Sequence, residues 1–509
     1  MRIIFTSDIH SYPFPTTFAE KTDRNMGHYR IIGSYEKDDD TVVIDGGDNL
    51  QGSALGKFIM EEKIFSPFPQ AEAFREGGLD IAVPGNHDFN YGRTILSSFL
   101  SQTGARILCA NLTDRKGVID IEKHIVMTDR NGLRIGFTGL VTDYVNLWEK
   151  KENLSSFVIS DVREAAEREL EWLGRNSDVS VLIYHGGFEC DLESGVRLRE
   201  GRENIGYELC RDLDYSLILS GHQHKGIPFR KVCNSYVLQA PSFGMGYGVI
   251  DITGEGITGS LLSPCDKAVK LEEENRALRE KTEIWLDKPL GEIESAIEAP
   301  PLLSSMLDGS RIADFFNYVQ MQATGADVSV CALNNSLFPF HKRVTVRDIL
   351  ASYQYPNTLC LVEIDEEGLR SALENTASFF SVDDEGGVSI NRRYLIPKME
   401  MYNYDYYYGI EYEFDISRPE GERVTKLLYE GEKIGKRKLR LCLNNYRITG
   451  SGGYSVYPGC RLIKSFDADV QDLSVEYILS HKEELPPWPE ARFTTKGYSF
   501  RKEGLEKLL

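Results

Sequence analysis

A chain of 509 residues with 78 acidic against 58 basic side chains carries a formal charge of −20. That is the wrong sign for gripping a long nucleic-acid backbone, which takes clustered Lys and Arg. Hydrophobic residues at 41% and charged residues at 27% are ordinary globular usage, which excludes disordered, collagen-like and mucin-like classes. A small phosphate ester stays open as a ligand, because a bound metal can invert the charge of one pocket. The length suits roughly two to four domains. No run of about 18 apolar residues occurs, so no membrane-spanning helix is expected. The nine cysteines include no CxxC pair and read as scattered core thiols, not as a disulfide frame or a zinc knuckle. Ile3-Ile4-Phe5 is followed at once by Ser7-Asp8, without the apolar stretch of about 7–15 residues of a secretory signal. A cytoplasmic protein with reduced thiols is therefore expected.

Along the first half, short apolar runs each end in a polar cluster: Ile3–Phe5, Val42–Ile44, Ile81–Val83, Ile107–Cys109, Ile135–Phe137, Val181–Ile183 and Leu217–Leu219. Unbroken runs of this kind suit strands buried on both faces. Helical patterns lie between several of them, such as Asp161 to Leu173 with its charged face. The reading is an α/β domain over 1–265, sheets at the centre and helices outside. Residues 266–289 are charged and nearly free of Gly and Pro until Pro289, with Leu271, Leu278 and Trp285 seven apart. This predicts a connecting helix docked by one apolar stripe. A second domain follows over 290–509, with a helix near Gly309–Thr324 and then strands rich in Tyr, Val and Ile.

Five segments carry chemistry: Asp8-Ile9-His10, Gly46-Gly47-Asp48-Asn49, Gly85-Asn86-His87-Asp88, His185-Gly186-Gly187 and Gly221-His222-Gln223-His224. Each stands just after an apolar run, and in a layered α/β fold the strand ends share one edge where ligands collect. Five of the nine histidines fall in these segments. His28, His124, His341 and His481 lie outside the pattern and are assigned no role. Carboxylate, imidazole and amide donors without thiolate suit Mn, Fe or Zn. Seven such side chains sharing one carboxylate could complete two adjacent divalent sites. Two metals about 3.5–4 Å apart can clamp the attacking and leaving oxygens of a displacement at phosphorus and bring a water near neutral pKa.

These segments resemble the calcineurin-like metallophosphoesterase signature, and TVVIDGGDNLQGS and VPGNHDFNYG resemble the 5'-nucleotidase family more narrowly. The resemblance implies a four-layer αββα sandwich joined by a helix to an α/β C-terminal substrate-binding domain. It implies that Asp8, His10, Asp48 and His224 hold one metal, that Asp48 bridges, and that Asn86, His185 and His222 hold the second. It gives His87 contact with the phosphoryl group and a general-acid role. Many members carry an Asp three residues later to orient that His; here the position is Asn90. An amide can hydrogen-bond the imidazole but cannot stabilise its cation by charge.

Asn444-Asn445-Tyr446-Arg447 and Gly450-Ser451-Gly452-Gly453-Tyr454 resemble the base-binding loop of the family's C-terminal domain, where two aromatic rings sandwich the base. Tyr446 matches one ring, and Tyr404, five residues before Gly409, matches the other. Stacking of this kind tolerates base identity. The family's glycine-rich segment ending in Arg, which grips a 5'-phosphate, is replaced by Ala332-Leu333-Asn334-Asn335-Ser336-Leu337. VTVRDILASYQYPNTLCLVEI and YDYYYGIEYEFDISRP resemble the 2',3'-cyclic-nucleotide 2'-phosphodiesterase/3'-nucleotidase branch, which also tends to carry Asn at the place of Asn90. The expectation is a dimetal phosphoesterase acting on small nucleotides, with no nucleic-acid polymer, membrane or protein partner implied. A 5'-nucleotidase or nucleotide-sugar hydrolase, and a nucleotide-binding protein without turnover, are the alternatives.

Overall fold

All seven apolar runs become strands: Arg2–Thr6, Thr41–Asp45, Ile81–Ala82, Arg106–Leu108, Arg134–Val141, Val179–His185 and Leu217–Ser220. The computed structural model describes residues 1–198, 202–353, 357–396, 399–481 and 485–502; residues 354–356 of the segment Val344–Ile364 quoted above lie outside them. The chain divides into two units, Met1–Glu283 and Ile284–Leu509.

In the first unit, a seven-stranded sheet runs in the order Gly256–Leu262, Tyr247–Thr253, Arg2–Thr6, Thr41–Asp45, Ile81–Ala82, Arg106–Leu108, Ile121–Glu122. A six-stranded sheet runs Ile227–Val232, Ser235–Gln239, Leu217–Ser220, Val179–His185, Arg134–Val141, His124–Thr128. Alternate residues of both face each other in one apolar core: Ile3, Phe5, Val42, Ile44 and Ile81 from the first, Ile135, Phe137, Val181, Ile183, Leu217 and Leu219 from the second. The opposite face of the second sheet packs Leu140, Leu182 and Ile218 against Ala165, Ala166 and Leu173 of the helix Val162–Asn176. That helix starts where Asp161 accepts the Glu164 N–H at 2.9 Å, an N-cap that satisfies one otherwise orphaned donor.

The central strands of each sheet are parallel, so their connections must cross over. Helices Ala54–Glu61, Pro69–Glu76 and Gly92–Thr103 lie in the crossovers of the first sheet, and Val162–Asn176 and Gly206–Asp212 in those of the second. The layering is helix, sheet, sheet, helix, as expected. Parallel pairing has a consequence for function: within each sheet the central strands deliver their C-terminal ends to the same edge.

The charged segment forms two helices, Lys270–Glu274 and Arg276–Leu286, interrupted at Asn275. Arg30 Nε donates to Glu272 Oε1 at 3.0 Å, which ties the first piece to the N-terminal unit. The division between the units falls within the second helix.

The second unit is built on a five-stranded sheet ordered Tyr406–Tyr408, Val328–Cys331, Leu439–Asn444, Thr358–Ile364, Arg461–Asp469. The expected helix is Arg311–Thr324, capped by Ser310 and ended by Gly325 at φ 66°, a left-handed turn that suits glycine. All nine cysteines are unpaired, and no helix among the described residues is long and apolar enough to cross a membrane.

Leu219, fully buried between the two sheets, gives a direct test of this core. Leu219→Ala is expected to cost about 2–5 kcal/mol by denaturant unfolding. Val118→Ala, on a side chain more than half exposed, should stay within about 0.5 kcal/mol.

Candidate metal centre

The candidate ligands arrive within a residue or two of strand ends that are in register. Thr6 pairs with Asp45 and Asp45 with Ala82 in one sheet, and Tyr184 with Ser220 in the other. The chain then turns sharply. Asp8, His10, Asp48, His222 and His224 all have left-handed backbone, with φ between 51° and 70°, which costs a residue other than glycine on the order of 1–3 kcal/mol. Cross-links between the loops hold these turns: Asp8 N–H donates to Gly47 O and His10 N–H to Asp48 O, both at 2.8 Å. Two glycines are required by close approach. A Cβ on Gly85 would stand 2.3 Å from Asp48 Oδ1, and one on Gly221 would stand 2.0 Å from Ser7 Oγ.

The donor atoms form two groups that share Asp48. Asp8, His10, Asp48 and His224 each bring one ligand atom within 4.8 Å of the others, and so do Asp48, His185 and His222. Asn86 joins the second group, its Oδ1 3.1 Å from His185 Nε2 and 2.9 Å from His222 Nδ1. All seven residues assigned to metals are thus brought together.

The protons in these groups can be followed. His185 Nδ1–H donates to Gly46 O at 2.6 Å and His10 Nδ1–H to Gln51 O at 2.6 Å, so in each neutral ring Nε2 carries a lone pair. That of His185 points at Asp48 Oδ2, 3.2 Å away, and at Asn86 Oδ1. That of His10 faces His224 Nε2 at 2.9 Å and Asp48 Oδ2 at 3.7 Å. Asp48 Oδ2 is fully buried and accepts no hydrogen bond. Acceptors turned on one another in a dry site repel unless positive charge lies among them. Burial would suppress charge on His185, yet Asp48, with Asp8 behind it, outweighs burial and lifts the imidazole to about 10. Burial would likewise push Asp48 up, but His185, His87 and His10 hold its carboxyl well below the usual range. His10 goes the other way: burial lowers it despite the attraction of Asp48. The residues present fit divalent cations, with backbone carbonyls behind the imidazoles to orient them, as metal-binding histidines require.

His87 stands beside this centre. Its backbone N–H donates to Asp48 Oδ1 at 2.7 Å, and its Nδ1 lies 2.9 Å from Asn90 Oδ1. Three supporting carboxylates were not assigned roles from the sequence. Asp88 accepts the backbone N–H groups of Asp48, Asn49, Leu50 and Gly85 at 2.7–3.1 Å, clamping two ligand loops together. It sits inside the quoted Gly85–Asp88 motif, so the signal was present. Glu203 lies 3.0 Å from His222 Nε2, which leaves Nδ1 for the metal side. Glu149 accepts from Asn90 Nδ2 at 2.5 Å. Neither of these two belongs to a motif.

In the second unit, Tyr446 is half-buried on a turn held by Arg447. The Arg447 guanidinium, 1% exposed, pairs with Asp405 at 2.8 Å and donates to Asn403 Oδ1, Ser451 O and Tyr402 O. Tyr404 departs from the expectation. It is 2% exposed, its hydroxyl donates to Met306 O at 2.9 Å, and its ring meets Phe379 and Tyr406 edge-on; no face is left for a base. Two residues earlier, Tyr402 is half-buried and shares Arg447 with the Tyr446 turn.

Residues 1–226 match the model of the calcineurin-like phosphoesterases and residues 295–459 that of the 5'-nucleotidase C-terminal domain. With the fold and donor set, this makes the chain a metal-dependent phosphoester hydrolase that joins a calcineurin-like phosphoesterase domain to a 5'-nucleotidase C-terminal domain. It is similar to the trifunctional nucleotide phosphoesterase YfkN of Bacillus subtilis, with 22% identity over 95% of this chain but only 38% of that protein's length. It is also similar to the 2',3'-cyclic-nucleotide 2'-phosphodiesterase/3'-nucleotidase of Haemophilus influenzae, 22% identical over 89% of this chain and 80% of that one. A crystal structure from Staphylococcus aureus, described as a "putative 5'-nucleotidase" in complex with alpha-ketoglutarate, superposes with a TM-score of 0.89 at 28% identity. It covers 97% of this chain and 100% of that one.

Metal binding should compete with one proton. Below about 10 the metal-free His185 is protonated, and a metal needs its lone pair. Apparent Mn2+ affinity should therefore climb by about tenfold per pH unit between roughly pH 7 and 9, read by titration calorimetry. An affinity flat across that window would contradict the proton assignment.

Proposed function

We propose that this chain hydrolyses nucleotide phosphate esters at a pair of divalent metals, Mn, Zn or Fe, with 2',3'-cyclic nucleotides and nucleoside 3'-phosphates as substrates. The observation that carries the hydrolytic reading is the two acceptor groups meeting at the buried, unpartnered Asp48 Oδ2. Asp8, His10, Asp48 and His224 would hold one metal, and Asp48, Asn86, His185 and His222 the other. When bound, such a pair neutralises phosphoryl charge and provides a nucleophile near neutral pH.

The remaining work falls to protein groups. With Nδ1–H donated to Asn90, the His87 imidazolium presents Nε2–H to the leaving oxygen and gives up that proton as the ester bond breaks. Tyr446 stacks on the base, and Tyr402, in place of Tyr404, takes the other face. Support for the 3' and cyclic substrates comes from the relative so named and from Ala332–Leu337, which has no arginine for a 5'-phosphate. Asn335 in that segment is spent on structure: it donates to Met399 O and accepts from Met401 N–H. A 5'-nucleotidase or nucleotide-sugar hydrolase is the second reading, favoured by the Staphylococcus aureus structure.

Phosphate release from 2',3'-cyclic AMP, 3'-AMP, 5'-AMP and a nucleotide sugar, with Mn, Zn and Mg in parallel, separates these readings. The first two substrates should lead; faster release from 5'-AMP or the sugar would replace the proposal, and tight binding with no release would mean a protein without turnover. Stacking worth about 1–3 kcal/mol means that Tyr446→Ala should raise KM for 3'-AMP by roughly 5- to 150-fold. Hydrolysis of a base-free aryl phosphate should be spared.

A further inference from the structure

Asn90 poses a problem of orientation. A side-chain amide is nearly symmetric in shape but has an acceptor end and a donor end. Turned one way, it offers His87 Nδ1 an oxygen; turned the other, an NH2 that opposes the Nδ1–H of an imidazolium donating its proton from Nε2. The far end of the amide decides. Asn90 Nδ2 lies 2.5 Å from Glu149 Oε2, and a carboxylate can only accept, so the NH2 must face Glu149 and the oxygen must face His87.

Glu149 is itself held in place. Its Oε1 accepts from the Lys150 backbone N–H at 2.7 Å and from Asn153 Nδ2 at 2.9 Å. Asn153 Nδ2 also reaches Asn90 O at 2.8 Å, which closes a ring of contacts around the amide. Glu149 stands on the loop after the short helix Val145–Trp148. The ring of Trp148 from that helix lies parallel to that of His222, centroids 5.7 Å apart, so the segment borders the candidate metal centre.

We infer that Glu149 is a positioning residue for the hydrolytic reaction: it orients the Asn90 amide, and through it holds the Nδ1–H and the ring angle of the His87 imidazolium, so that Nε2–H faces the leaving oxygen. This rests on the general-acid role given to His87 above. It also answers how an amide can serve at this position: a carboxylate one step further out removes the ambiguity of the amide.

The test compares kcat and KM of metal-loaded protein on the nucleoside monophosphate it turns over fastest and on p-nitrophenyl phosphate, whose leaving group departs without a proton. Glu149→Ala should lower kcat on the nucleotide by about 10- to 100-fold, the usual effect of removing an outer-shell orienting group. KM should stay within about threefold, and the loss on the nitrophenyl ester should be at least about fivefold smaller. Metal content by elemental analysis should not change. Asn90→Asp combined with Glu149→Ala should recover most of the loss, because a carboxylate has no donor end to turn inward. Equal losses on both esters, lost metal, or no recovery by Asn90→Asp would overturn the inference. His87→Ala separates the two levels. If it does not distinguish the esters, the acid role falls and Glu149 with it; if it does and Glu149→Ala does not, only the present inference falls.

Discussion

One buried carboxylate oxygen organises the N-terminal unit. Asp48 Oδ2 is sealed from water, accepts no hydrogen bond, and is faced by the lone-pair nitrogens of His185 and His10. Each of those imidazoles has its other nitrogen committed to a backbone carbonyl, so neither can turn a proton inward without taking on charge. Without metal, a proton on His185, lifted to about 10 by Asp48, is what relieves this cluster of acceptors, which would otherwise be among the costlier arrangements a protein interior can hold. Divalent cations on both sides of Asp48 turn the same arrangement from repulsive to attractive, which is why the donor set reads as a pair of sites sharing one ligand.

The fold supplies this convergence at a local cost. Parallel strands in two face-to-face sheets end at a common edge, and the apolar core of Ile, Val, Leu and Phe beneath them is rigid enough to hold left-handed turns at five ligand residues. Asp88 is the chief brace. By accepting four backbone N–H groups from the loops of Asp48 and Asn86, it makes two segments forty residues apart in sequence behave as one ledge. Burial pushes its carboxyl upward, and the Asp48 charge adds to that. Those four donated bonds are the compensation.

Much of this was legible in the residues. Apolar runs marked the central strands, and polar clusters at their exits marked the candidate ligands that the fold brings together, because burial and ligation both restrict residue type strongly. The antiparallel edge was harder: Gly256–Leu262 alternates exposed and half-buried positions and carries no unbroken apolar run. Glu149 and Glu203 act at a distance along the chain, and a single carboxylate in a loop has no spacing to read. The tyrosine assignment failed for a geometric reason. Counting five residues back from Gly409 reached Tyr404, but Met401–Asn403 is a 3-10 turn, which rotates the chain by a third of a turn per residue. Tyr404 is thereby carried into the core, while Tyr402 stays partly accessible.

The central claim is that Asp48 is shared by two cations, and anomalous diffraction from crystals of the Mn2+-loaded protein tests it most directly. The account expects two manganese peaks about 3.5–4 Å apart, both within bonding distance of the Asp48 carboxylate, one bordered by Asp8, His10 and His224 and the other by Asn86, His185 and His222. A single peak, or two peaks with Asp48 touching only one, would contradict it.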